Sequence, residues 1–208
     1  MLLSKIVSAI VMVLLCSAIP FIWWAITARK KENFFKWMGC YTPKLRKKLW
    51  CLAIFMVIYY FVWSFDITIF MDQESMENAQ SSGNLAANVY TGLGFSAILP
   101  ALIESFLVNS LGEEIFFRGF VCKRLQRKFG KNIGFVLQAC CFGLMHNVLY
   151  LLAGMDVSLQ FHLAIFGFTG GGALLLGYIN EKIYNGSIIP SVILHGLGNF
   201  LVNITAAF

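Results

Sequence analysis

Apolar residues fall into long uninterrupted stretches rather than alternating or helix-periodic patterns. About 20 apolar residues suffice to cross a bilayer as a helix. Six stretches reach that length: residues 4–28, 49–71, 96–122, 133–153, 158–179 and 187–207. This predicts an all-α, polytopic bundle of six spanning helices. The third has the least regular start, since Gly92 and Gly94 precede it and Pro100 predicts a kink or the true beginning of the spanning part. The first stretch is longer than a signal-peptide core and runs into Arg29-Lys30-Lys31 without a small-residue cleavage signal, so it is expected to persist as a helix.

The polar connections alternate in charge. Arg29, Lys30, Lys31, Lys36, Lys44, Arg46, Lys47 and Lys48 occupy the first, and Asp72, Glu74 and Glu77 the second. Lys123, Arg124, Arg127, Lys128 and Lys131 fill the third, Asp156 the fourth, and Glu181 with Lys182 the fifth. Counting only Lys and Arg, the odd connections belong in the cytoplasm and both termini outside.

Composition agrees: 59% of residues are hydrophobic and only 12% charged, about half the charged share of a soluble domain. The 208 residues leave room for a single membrane domain over 1–208, with no internal repeat and no soluble insert. The net charge of +6 sits in the connections, where lipid headgroups account for it, so membrane lipid is a partner and nucleic acid is not. The cysteines Cys16, Cys40, Cys51, Cys122, Cys140 and Cys141 have no CxxC spacing and read as free thiols. Gly167, Gly170, Gly171, Gly172, Ala173 and Gly177 form a small-residue stripe that predicts close helix packing.

Chemistry is concentrated in ionisable residues placed inside apolar stretches. Each costs about 2.5 to 3.5 kcal/mol in hydrocarbon, so several at one depth imply a shared polar cavity. Glu113 and Glu114 lie within Leu111-Gly112-Glu113-Glu114-Ile115-Phe116-Phe117-Arg118, and His146 and His195 lie in later spans. Glu114 and Arg118 are four apart, in the favourable order for an ion pair; Glu113 is turned about 100° away and stays available as a base. Phe142 with His146, and His195 with Asn199, repeat the four-residue spacing, and Ser187, Ser191 and Asn203 extend the latter series. Counted from the cytoplasmic helix ends, Glu113, His146 and His195 lie at depths of about 15, 21 and 13 Å, one band of the membrane. Glu104, Asp66 and His162 show no sequence partner and read as interfacial or helix-packing groups. There is no His-Glu-x-x-His, no Gly-x-Ser-Gly elbow and no intramembrane aspartate pair, which leaves glutamate-based water activation among intramembrane hydrolases.

These motifs resemble those of the CAAX prenyl protease and bacteriocin-processing (CPBP, or Abi) family of membrane proteins. Glu-Glu-x-x-x-Arg matches Glu113-Glu114 to Arg118, Phe-x-x-x-His matches Phe142 to His146, and His-x-x-x-Asn matches His195 to Asn199. The likeness covers residues 96–208, while 1–71 supplies two additional N-terminal helices without a match. The resemblance implies an intramembrane endopeptidase acting on a peptide or membrane protein. In it Glu113 and His146 activate a water, His195 and Asn199 stabilise the oxyanion, and Glu114 and Arg118, with Phe142, support the site. It implies no cofactor and no metal, although one Glu with two His could hold zinc with an open position. The alternative is a non-catalytic bacteriocin self-immunity or partner-binding protein of the same fold; a transporter would show two similar halves with broken helices, which are absent. A bacterial plasma membrane is the expected location.

Overall fold

The computed structural model describes residues 1–43, 54–58, 61, 67–73 and 89–208. Among them, five helices are long and apolar enough to cross a membrane. They are α1 (Leu2–Thr27), α3 (Gly94–Phe129), α4 (Lys131–Leu152), α5 (Leu159–Ile183) and α6 (Ile189–Ala207). The short α2 (Phe34–Met38) follows α1, and no strand occurs among the described residues. The stretch expected to span at 49–71 lies mostly outside the described residues, together with Asp66; Phe55 and Met56 pack against Leu176, Ile179, Tyr184 and Leu194.

α3 departs from the expected 96–122 at both ends. It begins at Gly94 with a 3-10 turn, and Pro100 falls in the first turn of the α-helical part Ile98–Ile103, where a missing N–H is tolerated. The basic run expected as a connection continues the helix to Phe129, and a single residue, Gly130 at φ +84°, turns the chain into α4. Within the bilayer α3 widens into π-helical segments, Glu104–Leu111 and Glu114–Cys122. Such segments are rare and recur at functional sites.

Large apolar side chains such as Leu14, Ile26, Phe95, Leu151 and Leu152 face outward, as lipid contact requires. Inward, small and polar residues join the helices, since apolar burial drives no association in lipid. A Cβ on Gly196 of α6 would stand 2.4 Å from the Phe106 ring of α3, so the two helices meet at van der Waals limits. Asn203 Nδ2 donates to Ser105 Oγ at 3.1 Å and Ser110 Oγ donates to the Val192 carbonyl at 2.8 Å across the same interface. α4 and α5 approach through Gly143, against Phe166, and Gly170, against the Ala139 carbonyl. The glycine stripe of α5 is therefore only partly an interface: Gly170 and Gly177 face α4, whereas Gly167, Gly171 and Gly172 open onto free space.

The odd-numbered connections meet at one end of the bundle. Lys123 Nζ donates to Glu181 Oε1 and to the Gly186 carbonyl, each at 2.8 Å. Ser187 Oγ donates to the Tyr41 carbonyl at 2.6 Å, the Ile188 N–H donates to the Gly39 carbonyl at 3.0 Å, and the Tyr41 hydroxyl donates to the Asn185 carbonyl. Burial, then the Glu181 and Glu32 carboxylates, push the Tyr41 phenol up, so it keeps that donated proton. At the opposite end Lys5 pairs with Glu104 at 2.7 Å, and Tyr90 donates to the same carboxylate. Burial first, then this bond, raises the Tyr90 phenol. The C-terminal Phe208 ring meets Phe95 at that end, and Ser158 Oγ, at the start of α5, donates to the Phe70 carbonyl at 3.0 Å. Glu104 thus has partners the sequence did not disclose. The same holds for His162, whose Nδ1 lies 2.8 Å from Asn147 Oδ1. Cys16, Cys40, Cys122, Cys140 and Cys141 are free thiols; Cys51 lies outside the described residues.

Gly39 closes the seam between the first and fifth connections. Its φ is +84°, and a Cβ there would sit 2.3 Å from the Gly186 carbonyl oxygen, a backbone atom that cannot swing aside. Gly39→Ala is expected to destabilise the protein by roughly 1 to 3 kcal/mol, read as a lower thermal-unfolding midpoint in detergent, while Gly171→Ala, which meets open space, leaves the midpoint unchanged.

Candidate active site

A carboxylate at the centre of the bundle must be neutralised, and Glu114 is, by groups from two helices. It is fully buried, with Arg118 Nη1 3.1 Å from its Oε1, one helical turn away. His195 Nδ1 of α6 stands 3.0 Å from the same oxygen, and Ser191 Oγ, one turn earlier on α6, donates to Oε2 at 2.6 Å. Ser191 is held in turn by Asn180 of α5: Asn180 Nδ2 donates to its hydroxyl at 2.7 Å, and the Ser191 N–H donates to Asn180 Oδ1 at 3.2 Å. The Arg118 N–H groups point off the carboxylate axis and make no hydrogen bond. The pair is therefore Coulombic, and the guanidinium is fixed instead by lying 4.3 Å over the Phe142 ring of α4.

Phe142 connects this hub to the second histidine. Its ring centroid is 4.6 Å from that of His146, 6.4 Å from that of His195 and 5.0 Å from that of Phe117. His146 Nδ1 lies 2.9 Å from the Phe142 carbonyl, an acceptor, so Nδ1 carries the hydrogen and Nε2 presents a lone pair. His195 is ordered the same way. Nδ1 donates to Glu114, and Nε2 points away from the anchor.

Glu113 lies beside that free nitrogen. Its Oε2 is 4.0 Å from His195 Nε2, and the side chain is 19% exposed. That oxygen is buried and has no hydrogen-bond partner. The two adjacent glutamates of α3 thus take opposite sides of one imidazole, Glu114 at Nδ1 and Glu113 at Nε2. The start of the wide π-helical segment at Glu114 lies at the junction between them. A separation of 4.0 Å exceeds a direct hydrogen bond, and with the ring hydrogen on Nδ1 both facing atoms, Glu113 Oε2 and His195 Nε2, are acceptors to which a water would donate. From α1, Cys16 and Met12 pack over Gly112, closing the wall on that side of Glu113.

The structure therefore brings together Glu113, Glu114, Arg118, Phe142, His146 and His195 from α3, α4 and α6. Asn199 is half-buried one turn beyond His195 and makes no side-chain hydrogen bond among the described residues. Sequence reasoning set Ser191 in the four-residue series of α6 but gave it no partner, and it passed over Asn180. The signal for Asn180 was an amide directly before Glu181 and Lys182 of the fifth connection. Removing the Glu114 charge strands Arg118 in the interior, so Glu114→Gln is expected to cost about 3 to 5 kcal/mol, measured by thermal unfolding in detergent; Ser191→Ala, which leaves both charges paired, should cost about 1 to 2 kcal/mol.

Neither a curated protein nor a solved structure matches the chain. The sequence profile described as type II CAAX prenyl endopeptidase Rce1-like matches residues 95–201, a range that begins with α3 and includes every residue of the cluster around Glu114. On that match, and with the five apolar helices that embed it, the chain belongs to the Rce1-like family of CAAX-type intramembrane proteases.

Proposed function

We propose that this protein is a metal-independent intramembrane endopeptidase in which Glu113 is the general base. The observation that carries the reading is the contrast between the two neighbouring carboxylates. Glu114 has three partners, whereas Glu113 Oε2 is buried, lacks a hydrogen bond and stands 4.0 Å from an imidazole nitrogen. An oxygen in that position gains most from a water it can polarise. In the proposed reaction the water sits against Glu113 with the lone pair of His146 Nε2 as second acceptor. Glu113 takes its proton, and the hydroxide attacks the scissile carbonyl. The oxyanion is stabilised by the Asn199 amide and by His195, which donates from Nε2 when that nitrogen carries a proton. The proton then passes to the leaving amine, restoring Glu113.

Glu114, Arg118 and Phe142 act as positioning residues. They fix the His195 ring plane and hold α3 against α4 and α6. The positive-inside rule supports a site in the cytoplasmic half of the membrane, with a substrate that is a peptide or membrane-protein segment reaching it from that side.

The test is cleavage of candidate membrane peptides by the purified protein in liposomes. Glu113→Gln should lose about 10³-fold in kcat or more, with an unfolding midpoint near the parent's, and Asn199→Ala about 10²-fold. A strong chelator should leave the rate unchanged. Cleavage that survives Glu113→Gln removes the assigned base. Loss with chelator and recovery with zinc replaces the proposed mechanism by a metal one. Protection of cells from a peptide toxin by Glu113→Gln, with no cleavage by either protein, would favour an immunity role.

A further inference from the structure

A second polar feature lies away from the cluster around Glu114, at the end of the bundle where α1, α2 and α3 leave the membrane. A cavity of about 450 Å³ is lined there by Trp23, Ala28, Lys31, Glu32, Trp37 and Arg124, with Arg127 and Lys128 at the same wall. Four cations thus face one carboxylate, and Glu32 is already drawn toward Lys36 at 3.9 Å. The Arg124 guanidinium carbon lies 3.6 Å over the Trp37 ring, which holds it there. Arg124 Nε and Nη1 are nevertheless buried without a hydrogen-bond acceptor, and so is Trp37 Nε1, on a side chain only 4% exposed. Buried donors left unmade are costly, and the charge here makes the cost larger.

We propose that this cavity binds the phosphate of an anionic membrane lipid. An anion with several acceptor oxygens supplies what the stranded donors lack, and a guanidinium edge suits phosphate geometry. The position selects a lipid over other phosphate carriers. The cavity sits at the ends of two spanning helices, at headgroup depth, with Trp23, Ala28 and Leu125 giving an apolar wall toward the bilayer. Its volume is within the range of about 300 to 1,000 Å³ for small-molecule sites. The basic extension of α3 beyond Cys122, helical where a loop was expected, is what brings Arg124, Arg127 and Lys128 onto this wall.

Native mass spectrometry of the full chain in detergent, titrated with phosphatidylglycerol, phosphatidylcholine or inorganic phosphate, tests this. One phosphatidylglycerol should be retained, about tenfold more tightly than phosphatidylcholine. Arg127→Gln with Lys128→Gln, both exposed and free of packing roles in the core, should weaken that retention about tenfold, and Lys131→Gln, outside the cavity, should not. Equal retention of the two lipids, or a double variant that behaves like the parent, overturns the proposal. Displacement of the lipid by an equal concentration of inorganic phosphate overturns the lipid assignment in favour of a free anion.

Discussion

A buried carboxylate in a membrane protein dictates what surrounds it. Glu114 has no access to water, and an ion of that size in hydrocarbon demands compensation of several kcal/mol. Arg118 supplies the charge, and Ser191 and His195 supply the hydrogen bonds. Because those groups sit on α3 and α6, and Ser191 is tied to Asn180 on α5, satisfying one residue sets the relative register of three helices. Arg118 brings in the fourth by stacking on Phe142 of α4. The polar hub is a structural clamp before it is anything chemical.

The chemistry follows from what the clamp leaves over. With Nδ1 of His195 committed to Glu114, its Nε2 is the nitrogen left beside Glu113; with Nδ1 of His146 committed to the Phe142 carbonyl, its Nε2 is likewise uncommitted. Glu113 is the one member of the Glu-Glu pair without a hydrogen bond on Oε2. Membership of the Rce1-like protease family makes proteolysis the chemistry to expect of such an arrangement. In the proposed mechanism, preorganisation lies in the committed nitrogens and the stacked ring, and reactivity in the uncommitted oxygen.

Much of this was legible from residue order because a bilayer punishes exceptions. Apolar length gave the spans, and Lys and Arg placement gave which connections share an end; Lys123, Tyr41 and Ser187 join those connections in space. The four-residue spacing of Glu114 and Arg118 anticipated a contact observed at 3.1 Å. What stayed hidden depended on approach between distant segments. Glu104 meets Lys5 across 99 positions, and Asn180 meets Ser191 through a turn whose geometry no local pattern encodes. The glycine stripe misled in part, since small residues permit contact without requiring it and three of those glycines face open space. The basic run after Cys122 read as a loop because its charges end the apolar stretch; helix propensity of Lys, Arg, Leu and Gln carried it on to Phe129.

His195 is held through Nδ1 so that Nε2 confronts Glu113. Nitrogen-15 NMR of the histidine-labelled protein in liposomes, with His195 assigned by substitution, reads this directly. A proton on Nδ1 of His195, with a resonance that moves when Glu114 is replaced by Gln, is the predicted result. A ring protonated only at Nε2 and indifferent to Glu114 would contradict it.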